Sequence, residues 1–167
     1  MREVNFNITE NRPLTQKVNL LRMTGDTAGI DRPGQFVILS IPGLFLRRPF
    51  SVCDRDENSF TLLVERVGEG TSVLQDLPVG TSLSVLTGLG NGFTAGSSGD
   101  KPLLIGGGSG LSPLFWLARE LTPRANSPPF CWVLKPPRTS TFRKNSAPWA
   151  SAPSSSPRTA APAGKAW

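Results

Sequence analysis

Arg47-Arg48-Pro49-Phe50-Ser51-Val52 is the stretch of this sequence on which the fold prediction depends. It follows an apolar run, Phe36–Leu39, and a turn at Pro42-Gly43. A proline fixes φ and has no backbone donor, so it is tolerated only at the edge of a sheet. We therefore expect residues 47–52 to form a short, stiff and partly unpaired edge strand.

Two arginines and a serine on such an edge suit a particular class of ligand. A guanidinium presents a planar fork of donors that matches a phosphate, and a hydroxyl bonds to the polar rim of a ring. The stretch thus indicates a phosphorylated, flat, aromatic ligand such as a flavin nucleotide. The alternative is an ordinary strand with solvated arginines, and this stretch alone does not separate the two.

Residues 1–96 are predicted to form a small antiparallel, Greek-key-type β-barrel. Short runs of alternating apolar and polar residues are separated by turn residues, which is typical of barrels and sandwiches. One short helix is expected near residues 71–77, with Thr71 or Ser72 as its cap. The alternating apolar positions are Val4, Phe6 and Ile8; Val18 and Leu20; Phe60, Leu62 and Val64; and Leu83 and Val85.

From residue 100 the pattern changes to strand, glycine turn and helix. An apolar run at 102–105 precedes Gly-Gly-Gly-Ser-Gly at 106–110. Ser112-Pro113 is interpreted as an N-cap with proline at the first helical position, and leucines at helical spacing follow. With a second strand at Phe130–Leu134, residues 100–134 predict an incomplete Rossmann-like nucleotide-binding unit. The fold class is therefore β plus α/β.

Three glycine-rich segments are candidate ligand contacts. Residues 68–72, Gly-Glu-Gly-Thr-Ser, offer amides and hydroxyls to a pyrophosphate, or else form a plain turn with a cap. Residues 88–92 contact a ligand or merely link two domains. Residues 106–110 lack the third glycine of G-x-G-x-x-G, because Leu111 stands there. Their position between strand and helix nevertheless favours phosphate binding over a tight turn.

Charge separates the C-terminal segment from the rest of the chain. The 167 residues carry a net charge of +6. Seven of the 18 Lys and Arg lie after residue 123 and none of the 12 acids does, so residues 1–123 have eleven bases against twelve acids. The basic balance is thus no sign of nucleic-acid binding by the main domain. Residues 135–167, rich in Pro, Ser and Ala, are predicted to be disordered.

Composition argues against several kinds of chemistry. The chain has no histidine, and Cys53 and Cys131 form no CxxC pair, so no metal site and no catalytic residue is assigned. The N-terminus shows no secretory signal and no apolar run approaches a membrane span. Free thiols fit a reducing compartment, and we expect a cytoplasmic protein without membrane contact.

Taken in order, these motifs resemble the ferredoxin-reductase superfamily. More narrowly, Arg47–Ser51, Val67–Thr71 and Leu89–Phe93 resemble the electron-transfer subunits of dihydroorotate dehydrogenase B, with a match over about residues 1–134. The resemblance implies an FAD-binding barrel, an NAD-binding domain and, as partner in a hetero-oligomer, a catalytic dihydroorotate dehydrogenase subunit of pyrimidine biosynthesis. In that family electrons reach NAD⁺ through a [2Fe-2S] cluster and FAD.

The resemblance also implies which residues bind the cofactors. Two strands line the flavin, the start of the short helix holds its pyrophosphate, and the glycine turn faces the NAD phosphates. In that order the implied residues are Arg48, Pro49, Phe50 and Ser51 with Val64, Glu65 and Arg66; Gly70, Thr71 and Ser72; and Gly106, Gly107, Gly108 and Gly110.

Three departures set this chain apart from the family. Thr87-Gly88 replaces Gly-Pro, the cluster cysteines are absent, and a basic segment replaces the second half of the nucleotide domain. We therefore expect no iron–sulfur cluster and weak or lost NAD binding, and we interpret residues 135–167 as a truncated or out-of-frame reading. One alternative is a generic NAD(P)H–ferredoxin or sulfide-linked reductase subunit. A nucleic-acid-binding barrel is less favoured, because the strand faces lack clustered aromatics with Lys or Arg.

Overall fold

A computed structural model of the chain describes residues 1–122 in full and the backbone of residues 130–134. The predicted disorder of residues 135–167 lies outside the described residues. In chain order the elements are β1 Arg2–Pro13, β2 Val18–Thr24, β3 Phe36–Leu39, β4 Arg48–Ser51, β5 Asp54–Arg55, β6 Ser59–Glu65, α1 Glu69–Asp76, β7 Ser82–Leu89, β8 Leu103–Gly107, α2 Ser112–Leu121 and β9 Phe130–Leu134. Short 3₁₀ turns lie at Ala95–Ser97 and Gly108–Leu111.

The first seven strands form one antiparallel sheet in the order β4-β3-β7-β1-β2-β6-β5. Its two edge strands, β4 and β5, are separated in the chain only by Val52 and Cys53. Because consecutive Cα atoms are about 3.8 Å apart, so short a link brings the two edges together and the sheet curls. The Val52 amide bonds to Gln35 (3.0 Å) on one side, and the Cys53 amide bonds to Thr61 (2.9 Å) on the other. The predicted antiparallel barrel and the predicted edge strand at Arg48–Ser51 are thereby confirmed.

The inside of the curled sheet is filled by apolar side chains from alternate strand positions. Phe6 and Phe60 meet edge to face, with ring centroids 4.8 Å apart. On β2 the predicted phase is wrong: Leu21 and Met23 are buried, whereas Val18 and Leu20 are half-buried. In a run as apolar as Val-Asn-Leu-Leu-Arg-Met the alternation does not fix which face is inward, so pairing with β1 and β6 decides it.

Helix α1 closes one end of the barrel and is anchored there at its C-terminal end. Asn11 Nδ2 donates to the carbonyl oxygens of Leu74 (3.3 Å), Gln75 (3.0 Å) and Leu77 (2.9 Å). The helix begins at Glu69 with Gly68 as its N-cap. The predicted capping by Thr71 or Ser72 is therefore wrong, since both residues lie inside the first turn.

The second unit has the predicted order of strand, glycine turn, helix and strand. β8 and β9 pair in parallel with α2 between them, and β8 runs on to Gly107. The predicted N-cap at Ser112 is wrong: Leu111 is the N-cap and Ser112 is the first helical residue. Its hydroxyl instead donates to the carbonyl oxygen of Ser51 (3.2 Å).

Helix α2 packs directly on the barrel. Trp116 is 4 % exposed and belongs to the same buried cluster as the barrel side chains. Its amide donates to the Cys53 carbonyl (3.0 Å), and Arg119 pairs with Asp54 (2.9 Å). The division into residues 1–96 and 100–134 stays a prediction. Within residues 1–122 neither helix has the length and apolarity that crossing a bilayer requires.

Cys53, between the two edge strands, is expected to be an unreactive thiol in the folded protein. Burial raises the pKa of Cys53 to about 12, with the charge of Asp54 as a second cause. Because the thiolate is the reactive form, a thiol reagent at pH 8 should leave Cys53 unmodified until the chain is unfolded. A Cys131→Ser variant leaves Cys53 as the single thiol to count. Rapid labelling without denaturant would contradict the prediction.

The raised pKa of Cys53 also determines whether the stability of the folded state rises or falls with pH. At a pH above the ordinary thiol pKa of about 8.5, Cys53 stays protonated in the folded state. In the unfolded chain the same thiol loses its proton. The protonated thiol of Cys53 therefore makes its full contribution to the free energy of unfolding below about pH 8.5. This contribution is lost as the pH rises towards the folded-state pKa of Cys53. Urea unfolding at pH 8 and pH 10 should therefore show a larger loss for the parent protein than for Cys53→Ser.

Candidate functional site

A groove of about 1090 Å³ lies between the outer side of β4 and the glycine turn. Its volume lies slightly above the usual range for small-molecule sites, about 300–1,000 Å³, so it fits an extended ligand. Four segments form its walls: the β1–β2 hairpin, β4, the end of β6 with the start of α1, and the glycine turn. The lining residues are Arg12, Pro13, Leu14, Thr15 and Val18; Arg48, Pro49, Phe50 and Ser51; Leu63, Glu65, Val67 and Thr71; and Gly108, Ser109, Gly110, Leu111, Ser112 and Pro113.

Arg48 on β4 lies against the start of α1. Its Nη1 donates to the carbonyl oxygens of Leu46 (2.7 Å) and Arg47 (3.3 Å). Its Nε is 3.2 Å from the position that a Cβ atom on Gly70 would take. Glycine at position 70 therefore leaves the space that the guanidinium occupies. Within residues 1–122 Arg48 forms no ion pair with a carboxylate, so its charge is available to an anion.

The loop before α1 is fixed by two hydroxyl groups. Thr71 Oγ1 accepts from the amides of Val67 (2.9 Å) and Gly68 (3.1 Å). The hydroxyls of Thr71 and Ser72 each donate to the Gly68 carbonyl (3.0 Å). The first-turn amides of a helix have no acceptor within the helix, and the helix dipole favours an anion there. The charges of Arg48 and of the start of α1 therefore both favour an anion, and we call this place the anion-binding corner.

Arg47, next to Arg48 in the chain, binds partners outside the groove. Its guanidinium donates to Glu3 (2.6 Å) and to the hydroxyl of Ser84 (3.2 Å), away from the groove. Hydrogen bonds from Ser84 and Arg47 lower the pKa of Glu3, so the carboxylate stays charged. Only one of the two adjacent arginines therefore faces the groove.

The glycine turn closes the groove on the side of the second unit. Gly108 has φ +53°, a left-handed conformation that favours glycine. Gly106 lies behind it, where an added Cβ would be 2.9 Å from Leu114 Cδ1 and 3.1 Å from the Gly110 carbonyl oxygen. Glycine at position 106 thus permits α2 to start close to β8, and the Ser112–Ser51 hydrogen bond joins this turn to β4.

The structure brings together eight of the residues that the sequence indicates, and it places the others outside the groove. The eight are Arg48, Pro49, Phe50, Ser51, Glu65, Thr71, Gly108 and Gly110. Gly70 lies beneath Arg48. Ser72, Gly106 and Gly107 are not among the residues that line the groove.

Val64 and Arg66, which the sequence indicates near the end of β6, have side chains that contact other parts of the protein. Val64 is 1 % exposed in the barrel core, because strand alternation turns it inward. The Arg66 guanidinium binds Gln75 and Asp76, both at 2.8 Å. Neither side chain is therefore a candidate for contacting a ligand in the groove.

The β1–β2 hairpin is the wall that sequence reasoning missed. Arg12, Pro13, Leu14 and Thr15 line it, with Val18 at its base. A signal was present, since Arg12-Pro13 repeats the arginine–proline pair of residues 48–49. Only the folded structure, in which β1 binds α1 and β2 pairs with β6, shows that both pairs face one groove.

Solved structures with this fold include reductases of dioxygenase systems, as their titles state. The ferredoxin reductase of carbazole 1,9a-dioxygenase aligns with a TM-score of 0.72 at 24% identity, over 84% of this chain and 46% of that one. Phthalate dioxygenase reductase, described as transferring electrons from pyridine nucleotides to [2Fe-2S], aligns with a TM-score of 0.64 at 20% identity, over 80% and 43%. The chain therefore has the ferredoxin-reductase-like fold.

The chain is homologous to the electron transfer subunits of dihydroorotate dehydrogenase B (NAD⁺), which confirms the narrower resemblance. The subunit of a Geobacillus species is 34% identical over 129 residues, and that of Bacillus mycoides is 36% identical over 129 residues. Both matches cover 72% of this chain and 50% of the relative. The chain thus spans about half the length of the curated relatives it matches. No protein-family profile matches the sequence.

Proposed function

We propose that the groove binds FAD and that the chain transfers electrons between this flavin and a nicotinamide nucleotide. The observation that carries the proposal is the anion-binding corner, where the unpaired Arg48 meets the start of α1 over Gly70. A dinucleotide needs such a corner for its diphosphate and a flat, partly apolar wall for its ring. The homology to electron transfer subunits of dihydroorotate dehydrogenase B (NAD⁺) supports the electron-transfer part of the proposal.

The residues present fit FAD. The diphosphate fits the corner, because a guanidinium and a helix N-terminus both favour negative charge. Pro49 and Phe50 on β4 and Leu63 on β6 offer an apolar wall, and Ser51 adds a polar group beside it. When bound, FAD supplies the electron-transfer chemistry. The side chains bind it, orient its ring and exclude water from one face.

We place the nicotinamide nucleotide at the other end of the groove. Gly108 and Gly110 line that end and precede α2, the arrangement in which backbone amides approach phosphates. The weak or lost NAD binding that the sequence predicts is tested by measuring the affinity of the chain for NAD⁺. The absence of an iron–sulfur cluster from this chain stays a prediction from the sequence.

The electron donor that we propose is a catalytic dihydroorotate dehydrogenase subunit, as the names of the relatives imply. The assembly would then be a hetero-oligomer in the cytoplasm, where the reduced thiol of Cys53 is stable. A second candidate is a reductase for another acceptor, because the structural neighbours serve dioxygenases. Co-purification with each candidate partner separates the two.

Nucleic-acid binding finds no support in the described surface. Seven arginines in residues 1–122 each have a carboxylate partner, so their positive charges are balanced and form no extended basic surface. The arginines are Arg2, Arg12, Arg22, Arg32, Arg47, Arg66 and Arg119.

Spectroscopy of the purified chain tests the proposed function. We expect one FAD per chain, with absorbance near about 450 nm that shifts on binding, and bleaching of this band by NADH. FMN, which lacks the diphosphate, should bind more weakly than FAD. A chain that neither retains FAD nor changes the spectrum of added FAD would contradict the proposal, whatever its stability.

A further inference from the structure

The hairpin wall of the groove, residues 12–15, is held in one conformation by its own hydrogen bonds. The amides of Leu14 (2.8 Å) and Thr15 (3.1 Å) donate to the Val18 carbonyl. Thr15 Oγ1 accepts from the amides of Lys17 (3.2 Å) and Val18 (3.1 Å). The backbone of this hairpin is therefore held in place beside the groove.

Arg12 is the charged residue on this wall. Its Nε donates to Glu10 Oε1 at 2.5 Å. Glu10 precedes Arg12 by two residues, so both side chains lie on the same face of β1. This contact occupies one edge of the guanidinium, and within residues 1–122 no other acceptor binds its Nη atoms. The side chain is 53 % exposed. Glu10 thus orients a guanidinium whose outer fork of donors is free.

The strand that carries Arg12 is attached to the helix that forms the anion-binding corner. Asn11 binds three carbonyl oxygens at the C-terminal end of α1. The opposite end of the same helix lies under Arg48. Arg12 and Arg48 therefore project from one rigid framework into one groove.

We propose that Arg12 is a second phosphate-binding residue of the groove. Its Nη atoms donate to the diphosphate of a bound dinucleotide from the hairpin side, while Arg48 and α1 bind from the β4 side. The inference rests on the proposed function, which supplies the dinucleotide. A diphosphate carries about two negative charges, whereas one guanidinium and a helix terminus of about +0.5 leave part of that charge unmatched.

The diphosphate has two possible sources, because the groove is lined both by the flavin segments and by the glycine turn. FAD and NAD⁺ present the same chemistry to a guanidinium. Measuring the affinity for each separately assigns Arg12 to one or to both. A weaker affinity for either one in an Arg12 variant supports the proposal.

The main comparison is between Arg12→Gln and the parent chain. We expect about a 10-fold weaker affinity for the dinucleotide, the size of one charge-assisted hydrogen bond, with an unchanged melting temperature. Arg12→Lys, which keeps the charge, should bind between the two. Removing Arg12 also frees Glu10 to repel an anion. The pair Glu10→Gln and Glu10→Gln/Arg12→Gln isolates the arginine, and the double variant should bind more weakly.

Arg2→Gln is the matched control. Arg2 lies on the same strand, forms a similar exposed ion pair with Asp26 (3.1 Å) and does not line the groove. Arg12→Gln affinities equal to those of the parent, or an equal loss in Arg2→Gln, would overturn the inference and leave FAD binding intact. A parent chain that binds neither dinucleotide would instead overturn the proposed function, and the inference with it.

Discussion

Replacing Arg48 by Gln and Thr71 by Ala together is expected to weaken FAD binding roughly 60- to 700-fold. Within residues 1–122 Arg48 forms no ion pair with a carboxylate, and a hydrogen bond to a charged group is worth about 1.5–3 kcal/mol. Thr71 Oγ1 holds the amides of Val67 and Gly68, so its loss adds about 1 kcal/mol by loosening the loop. Each 1.4 kcal/mol is tenfold in affinity, which gives the expected factor.

Flavin fluorescence titration at constant ionic strength measures this effect. Arg47→Gln is the control, because it removes the same charge one residue away and Arg47 binds Glu3 and Ser84 instead. We expect its FAD affinity to stay within a factor of about two of the parent. An unaltered affinity in the double variant, or an equal loss in Arg47→Gln, would show that the diphosphate does not sit at this corner.

Replacing Trp116 by Ala is expected to lower the free energy of unfolding by about 3–5 kcal/mol, the usual cost of removing a buried aromatic side chain. Trp116 comes from α2, yet it packs among side chains of the barrel. Its loss should therefore destabilise the barrel as well as the second unit. Since small domains are stable by only about 5–15 kcal/mol, this variant is close to unfolding at room temperature.

Urea denaturation without FAD, followed by circular dichroism, checks this expectation. Phe45→Ala is the control, because Phe45 is 99 % exposed and the truncation there should change the free energy of unfolding by less than about 0.5 kcal/mol. A loss below about 1 kcal/mol in Trp116→Ala would mean that α2 is not part of the barrel core.

The order and type of the elements were readable from the sequence wherever local chemistry is decisive. Pro49 restricts its strand to an edge, and β4 is the edge of the sheet. Phe60, Leu62 and Val64 stand at alternate positions of β6, and all three are buried as that spacing predicts. The glycine turn before α2 was also predicted, because a strand, a run of glycines and a proline near a helix start occur together there.

Predictions failed where two elements compete for the same residue. On β2 the apolar residues stand on both faces, so pairing with the neighbouring strands chose Leu21 and Met23 for the core. Ser112 has the chemistry of a cap but bonds across to Ser51. Helix caps and strand phases depend on partners distant in sequence, which local patterns do not contain.

Local patterns were enough to predict that a barrel with an arginine-bearing edge strand precedes a glycine turn and a helix, because proline, glycine and alternating apolar residues act within a few residues of chain. Which of the two arginines lines the groove depends on contacts between distant elements. Arg47 turns to Glu3 from β1, while Arg48 lies over Gly70 and shares the groove with Arg12. The reason is physical: a side chain's partner is set by distances between elements, and curling the sheet fixes those distances.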